Sequence, residues 1–159
     1  MHIGIAGIGN MGSNIGARLM EVGHTLTVWN RTAEKTKLLA DAGASVAKSP
    51  AGLTNSADVI ISLLIDAAAI DAVYHGPQGL LAGDAKGKLF IEMSTVPPKV
   101  ETDLAAKVRA KGASLVECPV GGSTAPARKG QLLGLMGAEP ADAARALPIL
   151  EQLCRKVEH

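Results

Sequence analysis

The sequence predicts a doubly wound α/β fold, in which a mostly parallel sheet is covered by helices on both faces. Two observations carry this prediction. Short apolar and β-branched runs alternate with helical segments along nearly the whole chain, which is the pattern of successive β-α-β units. The length of 159 residues suits one domain. We therefore expect residues 1–159 to form a single unit without an internal linker.

The first half of the chain contains four predicted strands and two predicted helices. Apolar residues repeat at helical spacing from Met11 to Val22, and Gly23 follows as a stop signal. Thr32 can cap a second helix that runs to about Ala42. The strands are predicted over residues 3–6, over 25–29, around residue 46 and over 58–65, of which the last is the most apolar.

The second half of the chain repeats this alternation. Pro97 and Pro98 can start a helix that ends at Gly112. Pro140 opens a last helical stretch, which Pro148 is expected to kink or to split in two. The strands are predicted over residues 89–93, 115–116 and 132–136.

The composition excludes several classes of function. Lys and Arg number 16 and Asp and Glu number 15, and this balance argues against binding to nucleic acid or to an anionic membrane. Cys118 and Cys154 form no C-x-x-C pair and have no histidine cluster nearby, so we expect no metal site. The chain lacks both an apolar run of about 18 residues and a signal-peptide pattern. We therefore expect a cytoplasmic protein.

A glycine-rich loop follows the first predicted strand and opens the first helix. It reads Gly7-Ile8-Gly9-Asn10-Met11-Gly12, in the strand–loop–helix context that a dinucleotide-binding G-x-G-x-x-G loop requires. The first glycine permits a tight turn, the second lets a pyrophosphate approach the backbone, and the third brings the helix close to the strand. The free N–H groups of the helix N-terminus then favour the phosphates. A glycine turn without a ligand and a methyltransferase loop are the alternatives, whereas the P-loop motif of nucleotidases is absent.

The residues after the second strand predict which dinucleotide binds. An NAD site carries Asp or Glu about 20 residues after the loop, where it binds the adenosine 2′-hydroxyl. This chain has Asn30-Arg31-Thr32 there, and no acid before Glu34. Arg31 can pair with a 2′-phosphate, and the amide of Asn30 and the hydroxyl of Thr32 can add hydrogen bonds. We expect NADP(H) rather than NAD(H); the alternative is a solvated Arg31 beside a Thr32 that only caps a helix.

These segments resemble the β-hydroxyacid dehydrogenase family, which includes 3-hydroxyisobutyrate dehydrogenase, glyoxylate and succinic semialdehyde reductases, and the cofactor domain of 6-phosphogluconate dehydrogenase. The glycine loop with its methionine matches the family's loop, and residues 28–32 are similar to those of NADP-preferring members. The resemblance implies a Rossmann-type NADP-binding domain. It also implies that Leu64 and Ile65, where the family has Met-Leu-Pro, contact the cofactor and that Thr95 lies beside the nicotinamide ribose. A helix cap is the alternative for Thr95.

Residues 117–127 resemble the family's substrate-binding signature, Asp-x-Pro-Val-Ser-Gly-Gly. Here Glu-Cys-Pro-Val is followed by Gly121, Gly122 and Ser123, so that glycine stands where the family has serine. The resemblance implies that these three residues bind the carboxylate of a small substrate. Successive N–H groups of a glycine-rich turn can form an anion nest whatever the side chain. A loop without this role is the alternative.

The resemblance also indicates what this chain lacks. The family's general acid is a lysine in a Gly-x-x-x-Lys-x-x-Asn pattern of a C-terminal helical domain, and no lysine here fits that pattern. We therefore expect no catalytic residue in this chain, which would be the NADP-binding domain of an oxidoreductase. The implied reaction is hydride transfer between NADP(H) and a small 3-hydroxy acid or aldehyde acid, such as glyoxylate, succinic semialdehyde or 3-hydroxyisobutyrate. An imine reductase and a non-catalytic NADP(H)-binding module are the alternatives, and the full-length form is expected to be a homo-oligomer.

Overall fold

The computed structural model describes residues 1–159 and contains two β-sheets and seven α-helices. The strands are β1 (His2–Ala6), β2 (Thr25–Trp29), β3 (Ser45–Val46), β4 (Val59–Ser62), β5 (Leu89–Glu92), β6 (Ser114–Glu117), β7 (Val120–Gly121), β8 (Leu132–Leu135) and β9 (Cys154–Glu158). The helices are α1 (Asn10–Glu21), α2 (Lys37–Asp41), α3 (Pro50–Ser56), α4 (Ala67–His75), α5 (Pro98–Ala110), α6 (Thr124–Lys129) and α7 (Pro140–Leu153). None of these helices combines the length and the apolar character that a membrane span needs. The predicted doubly wound α/β fold is confirmed.

Six parallel strands form the main sheet in the order β3-β2-β1-β4-β5-β6. From β1 the chain builds outward through β2 and β3, and it then crosses back to place β4 on the other side of β1. The connections that leave β1 and β4 therefore run in opposite directions, which opens a crevice at their carboxyl ends. Because Ala6 pairs with Ser62, both strands end at the same level of the sheet.

Helices cover both faces of the main sheet because its strands are apolar on both sides. In β4, Val59 and Ile61 belong to one core cluster with residues of α1 and α7. The intervening Ile60 belongs to the other cluster, with residues of α3, α4 and α5. Most of the core consists of aliphatic side chains, as the composition predicts, and the buried Tyr74 and Phe90 lie together in the second cluster.

A second sheet of three strands has the order β7-β8-β9. Strands β7 and β8 are antiparallel, whereas β8 and β9 are parallel. Leu132 and Gly134 of β8 are buried, and Leu133 and Leu135 are exposed on the outer face. The sequence analysis predicts only β8 of this sheet. The polar segment of β9 has no strand signal of its own and becomes a strand by pairing with β8.

The structure corrects one predicted boundary and details of two others. Strand β4 ends at Ser62 rather than at residue 65, so residues 63–65 form a loop. Thr32 makes no side-chain capping bond, and a 3₁₀ turn precedes the short α2. The last helix is not split at Pro148, because α7 runs through it. Pro148 and Ala144 are both exposed, so the carbonyl group that loses its partner can bind water instead.

Helices α3, α4 and the short α6 are absent from the sequence predictions, and α3 and α4 carry recognisable caps. Ser49 begins α3 by accepting a hydrogen bond from the Gly52 N–H, and Pro50 occupies its first position. Asp66 begins α4 by accepting a hydrogen bond from the Ala69 N–H. Both caps are recognisable in the sequence. Helices α3 and α4 have only 7 and 9 residues, which is too short for a clear apolar period.

Candidate functional site

A groove crosses the carboxyl edge of the main sheet between β1 and β4. It consists of two adjoining cavities of about 420 Å³ and about 320 Å³, which share Gly7, Gly9 and the loop 63–65. One cavity extends to the end of β5 and the other to the end of β2. No Asp or Glu lines either cavity. The groove lies where doubly wound sheets bind their ligands.

The three glycines of the loop meet different requirements. Gly7 has a φ of +100°, and a Cβ atom there would collide with the carbonyl oxygen of Leu63. A Cβ atom on Gly12 would collide with the carbonyl oxygen of Gly7, because α1 packs directly against the turn. A Cβ atom on Gly9 would meet nothing within 4 Å, since that position faces the groove. The fold therefore needs Gly7 and Gly12, whereas Gly9 keeps space free above the backbone.

The first turn of α1 presents N–H groups that have no acceptor within the protein. The cap residue Gly9 provides no side-chain bond, and no acidic residue lies in the first turn. The first helical bond is donated by the Ser13 N–H to the Gly9 carbonyl oxygen, at 2.9 Å. The N–H groups of residues 9–12 are thus free to bind a ligand. Together with the positive end of the helix dipole, they suit an anion such as a diphosphate.

Asn30 connects the glycine loop to the end of β2. Its Oδ1 atom accepts a hydrogen bond from the Ile8 N–H at 2.8 Å, and its Nδ2 atom donates to the Thr32 carbonyl oxygen at 2.9 Å. The side chain of Ile8 is buried beneath the loop. The amide group that the sequence analysis assigns to a 2′-phosphate is therefore engaged within the protein, where it fixes the position of the loop.

Two cations lie at the β2 end of the groove. Arg31, Thr32 and Lys35 line this end, and all three are exposed. Neither Arg31 nor Lys35 forms an ion pair with the protein. Lys35 is absent from the residues predicted from the sequence, because it lies in the 3₁₀ turn after Thr32 and only the fold brings it to the groove. Two unpaired cations in a lining that contains no acid are complementary to a phosphate.

The β5 end of the groove is more apolar. Met11, Met93 and Val120 line it together with Thr95, which is exposed. The loop after β4 separates the two cavities, and its Ile65 is 87% exposed. Such an exposed side chain in a groove offers apolar surface to a ligand.

A buried carboxyl group fixes the two loops that follow β4 and β5. Glu92 is fully buried and accepts hydrogen bonds from the Ser94 N–H, at 2.7 Å, and from the hydroxyl groups of Ser62 and Tyr74. The Ser94 hydroxyl in turn accepts a hydrogen bond from the Leu64 N–H at 2.7 Å. Burial raises the pKa of Glu92, and these hydrogen bonds oppose the rise. The network ties together two walls of the groove, and the sequence analysis missed it because its members are distant along the chain.

The residues predicted to bind a substrate carboxylate lie only partly at the groove. Val120 lines the groove, but the next two residues, Gly121 and Gly122, line a separate depression of about 370 Å³ with Arg155. Ser123 is the exposed cap residue of α6 and makes no side-chain capping bond. The role of these residues in substrate binding stays a prediction.

The cysteines play no part in the groove. Cys118 and Cys154 are buried and free. Burial raises the pKa of the Cys118 thiol to about 12 and that of the Cys154 thiol to about 11, so both are unreactive. The structure contains no group of three His, Cys, Asp or Glu residues arranged for a metal ion.

The strand order, the glycine turn and the free N–H groups define a Rossmann-type domain of the class that binds dinucleotides. The chain belongs to the family of the NAD binding domain of 6-phosphogluconate dehydrogenase, whose model matches residues 2–159. The resemblance found in the sequence is therefore confirmed at the level of the family.

Individual relatives agree with this assignment. Psf3, solved in complex with NADP+ and 2-OPP, has a TM-score of 0.94 and 32% identity over 98% of this chain and 55% of that chain. The 3-hydroxyisobutyrate dehydrogenase of Mycobacterium tuberculosis, solved with L-serine, has a TM-score of 0.92 and 26% identity over 99% and 53%. The cytokine-like nuclear factor N-PAC of Danio rerio is 39% identical over 132 residues, which are 83% of this chain and 29% of that protein. The chain thus spans about half of the two solved proteins and less than a third of N-PAC.

Proposed function

We propose that residues 1–159 are the NADP-binding domain of an oxidoreductase that transfers a hydride between NADP(H) and a small 3-hydroxy acid or aldehyde acid. One observation carries the proposal: the groove has two separate sets of anion-binding groups. The free N–H groups of residues 9–12 lie in its middle, and Arg31 and Lys35 lie at one end. They are complementary to the diphosphate and the 2′-phosphate of one NADP(H) molecule.

The preference for NADP(H) over NAD(H) rests on charge. A carboxylate at the end of β2 would accept a hydrogen bond from a 2′-hydroxyl group and repel a 2′-phosphate. Here the groove has two cations and no acid at that place. Thr32 adds a hydroxyl donor, and Asn30 holds the loop in position. The complex of the similar Psf3 with NADP+ supports this choice.

The rest of the groove would orient the reacting end of the cofactor. When bound, the nicotinamide would supply or accept the hydride. Leu64 and Ile65 would contact the cofactor, and Thr95 would lie beside the nicotinamide ribose. Gly121, Gly122 and Ser123 would hold the substrate carboxylate, with the backbone N–H groups of Gly122 and Ser123 as the donors and Gly121 anchored in β7 by its pairing with Leu133. No titratable side chain lines the cavity at the β5 end, so none of its lining residues would supply the proton for the nascent alkoxide.

Variants of the two cations test the choice of cofactor. Arg31→Ala and Lys35→Ala are each expected to weaken NADPH binding by about 10- to 100-fold and to change NADH binding by less than about threefold. Lys37→Ala is the matched control, because Lys37 is exposed, pairs with Asp41 and does not line the groove. Calorimetric titration measures all these affinities. If neither cation variant alters the ratio of the two affinities, the proposed selection is wrong.

The lack of a titratable side chain at the β5 end also favours a second candidate, a dinucleotide-binding module without catalysis. Both candidates predict that the chain alone binds NADPH but does not reduce glyoxylate or succinic semialdehyde. An assay of NADPH oxidation tests this, and sustained turnover by the chain alone would contradict both. The two candidates differ in the NADPH oxidation expected of a full-length form that contains a lysine donor. An oxidoreductase would then oxidise NADPH in the presence of substrate, whereas a non-catalytic module would not.

We further propose that the full-length form is a cytoplasmic homo-oligomer that does not bind nucleic acid. The formal net charge of +1 of residues 1–159 supports the last point for this domain, because nucleic-acid binding needs a basic excess. Light scattering on the full-length form tests the oligomeric state, and a DNA-binding titration at low salt tests the lack of nucleic-acid binding. A monomer, or tight binding to DNA, would contradict these expectations.

A further inference from the structure

A second site lies at the β6 edge of the main sheet, outside the groove. It is a cavity of about 320 Å³, here called the glutamate cavity, with Glu101 of α5, Glu117 of β6 and Glu139 in its lining. Arg109 also lines it. The glutamate cavity shares no lining residue with the groove, so the proposed function does not account for it.

Glu101 is a carboxyl group without a partner. Its side chain is 7% exposed, and neither of its oxygen atoms has a hydrogen-bond partner. A buried carboxyl group that lacks a partner costs free energy, and folded proteins rarely contain one. Glu101 lines the cavity, and its two oxygen atoms are covered by the protein, so a ligand that enters there supplies the missing donor once the Glu101 side chain turns toward it.

The second carboxyl group is held in place by the backbone. Glu117 and Gly137 exchange backbone hydrogen bonds of 3.0 Å and 2.8 Å. The Glu117 carboxyl group packs over Gly137 so closely that a Cβ atom there would collide with it. Glu139 is exposed at the edge of the cavity. None of the three glutamates forms an ion pair.

Arg109, which also lines the glutamate cavity, does not neutralise the three glutamates. Arg109 follows Glu101 by eight residues on α5, which separates their backbones by about 12 Å along the helix. Arg109 forms no ion pair with any carboxyl group. In addition, the buried Glu92 and the neighbouring Glu117 both act on Glu101 as like charges. The glutamate cavity therefore contains acidic groups that no cation of the protein neutralises.

We propose that the glutamate cavity binds a small organic cation with N–H donors, an ammonium or guanidinium group, between Glu101 and Glu117. A metal ion is a poor fit, because no three carboxyl, thiol or imidazole groups are close enough to ligate one. An ammonium or guanidinium group can donate several hydrogen bonds to separate oxygen atoms. The volume is at the lower end of the range for small-molecule sites, so the ligand is small.

An NMR titration of the ¹⁵N-labelled chain with methylguanidinium tests this site. We expect saturable shifts of the Gly137 and Ala138 amide signals, and no such shifts with tetramethylammonium, which has the charge but no N–H donor. Glu101→Gln and Glu117→Gln should each weaken binding by about tenfold or more. Glu151→Gln is the matched control, because Glu151 is exposed on α7 and does not line the cavity.

Several outcomes would overturn the proposal: no saturable shift, equal shifts with tetramethylammonium, or unchanged affinity in both cavity variants. The source of the cation is tested with N-acetyl-arginine methylamide, which carries the same group on a peptide backbone. Binding as tight as that of methylguanidinium identifies a protein side chain as the ligand, and much weaker binding identifies a free small molecule. NADPH affinity should be the same in Glu101→Gln as in the wild type, so this proposal can fail independently of the cofactor site.

Discussion

The groove lies at the carboxyl ends of the central strands β1 and β4, the glutamate cavity lies beside the edge strand β6, and the two have opposite chemistry. The groove offers N–H donors and two cations, with no acid in its lining. The glutamate cavity offers three carboxyl groups and one remote arginine. The glutamate cavity, at about 320 Å³, has the volume of the β2 end of the groove alone, so it suits a much smaller ligand than the whole groove does. In both, the polar groups that the fold leaves without partners define the ligand: an anion in the groove and a cation in the glutamate cavity.

The largest expected effects concern the glycine loop, where Gly7 is needed for stability and Gly9 for cofactor binding. Gly7→Ala should lower the free energy of unfolding by about 2–5 kcal/mol, because the new Cβ atom collides with Leu63 and φ is positive. Gly9→Ala should change stability by less than about 1 kcal/mol and yet reduce NADPH affinity by about 100-fold or more, because its Cβ atom fills the space of the diphosphate. Urea unfolding and calorimetry measure the two quantities.

Each variant serves as the control for the other. A Gly9→Ala variant that binds NADPH like the wild type would mean that the diphosphate does not lie over the loop. A Gly7→Ala variant of unchanged stability would contradict the geometry of the turn.

The two sites differ in how far the sequence reveals them. The groove is predictable because its donors are backbone groups that a glycine pattern encodes within six residues, 7–12. Arg31 follows at the spacing that the fold imposes. The glutamate cavity has no such pattern, since Glu101, Glu117 and Glu139 belong to three elements that only packing brings together.

The same reasoning explains which parts of the fold are predictable. Strands β2 and β5 are apolar in themselves and are found close to their true positions. Strand β9 and the Glu92 network depend on partners far away in the chain, so no local signal indicates them. The cap residues Ser49 and Asp66 are the signals that would have located α3 and α4.

The next effect concerns the glutamate cavity and its response to pH. Burial, with Glu92 and Glu117 nearby, raises the pKa of Glu101 to about 8, from an ordinary value of 4.5. The folded state therefore binds this proton more tightly than the unfolded state, and its contribution to stability is lost as the pH rises from about 4.5 to about 8. Glu101→Gln mimics the protonated form. It should exceed the wild type in stability by on the order of 2 kcal/mol at about pH 8.5, and by much less at about pH 5.

Urea unfolding at the two pH values measures this difference, and Glu151→Gln serves as the control for the loss of a carboxylate. A gap between the wild type and Glu101→Gln that does not change with pH would show that the Glu101 carboxyl group titrates normally. The glutamate cavity would then lose the feature that sets it apart from the rest of the surface.

The smallest effect tests the apolar part of the groove. Ile65→Ala should leave stability within about 0.5 kcal/mol, because the side chain is 87% exposed, and should weaken NADPH binding by about three- to tenfold. Leu133→Ala is the control, since Leu133 is exposed on the outer face of the second sheet and does not line the groove. Equal affinities of the two variants would place Ile65 outside the contact with the cofactor.

The most direct test of the central claim is a calorimetric titration of the wild-type chain with NADPH and with NADH under the same conditions. The groove's free N–H groups should bind the diphosphate of both, and Arg31 and Lys35 should make NADPH bind at least about tenfold more tightly. Equal affinities, or a preference for NADH, would contradict the selection by these two cations. A folded chain that binds neither dinucleotide would contradict the assignment of the groove itself.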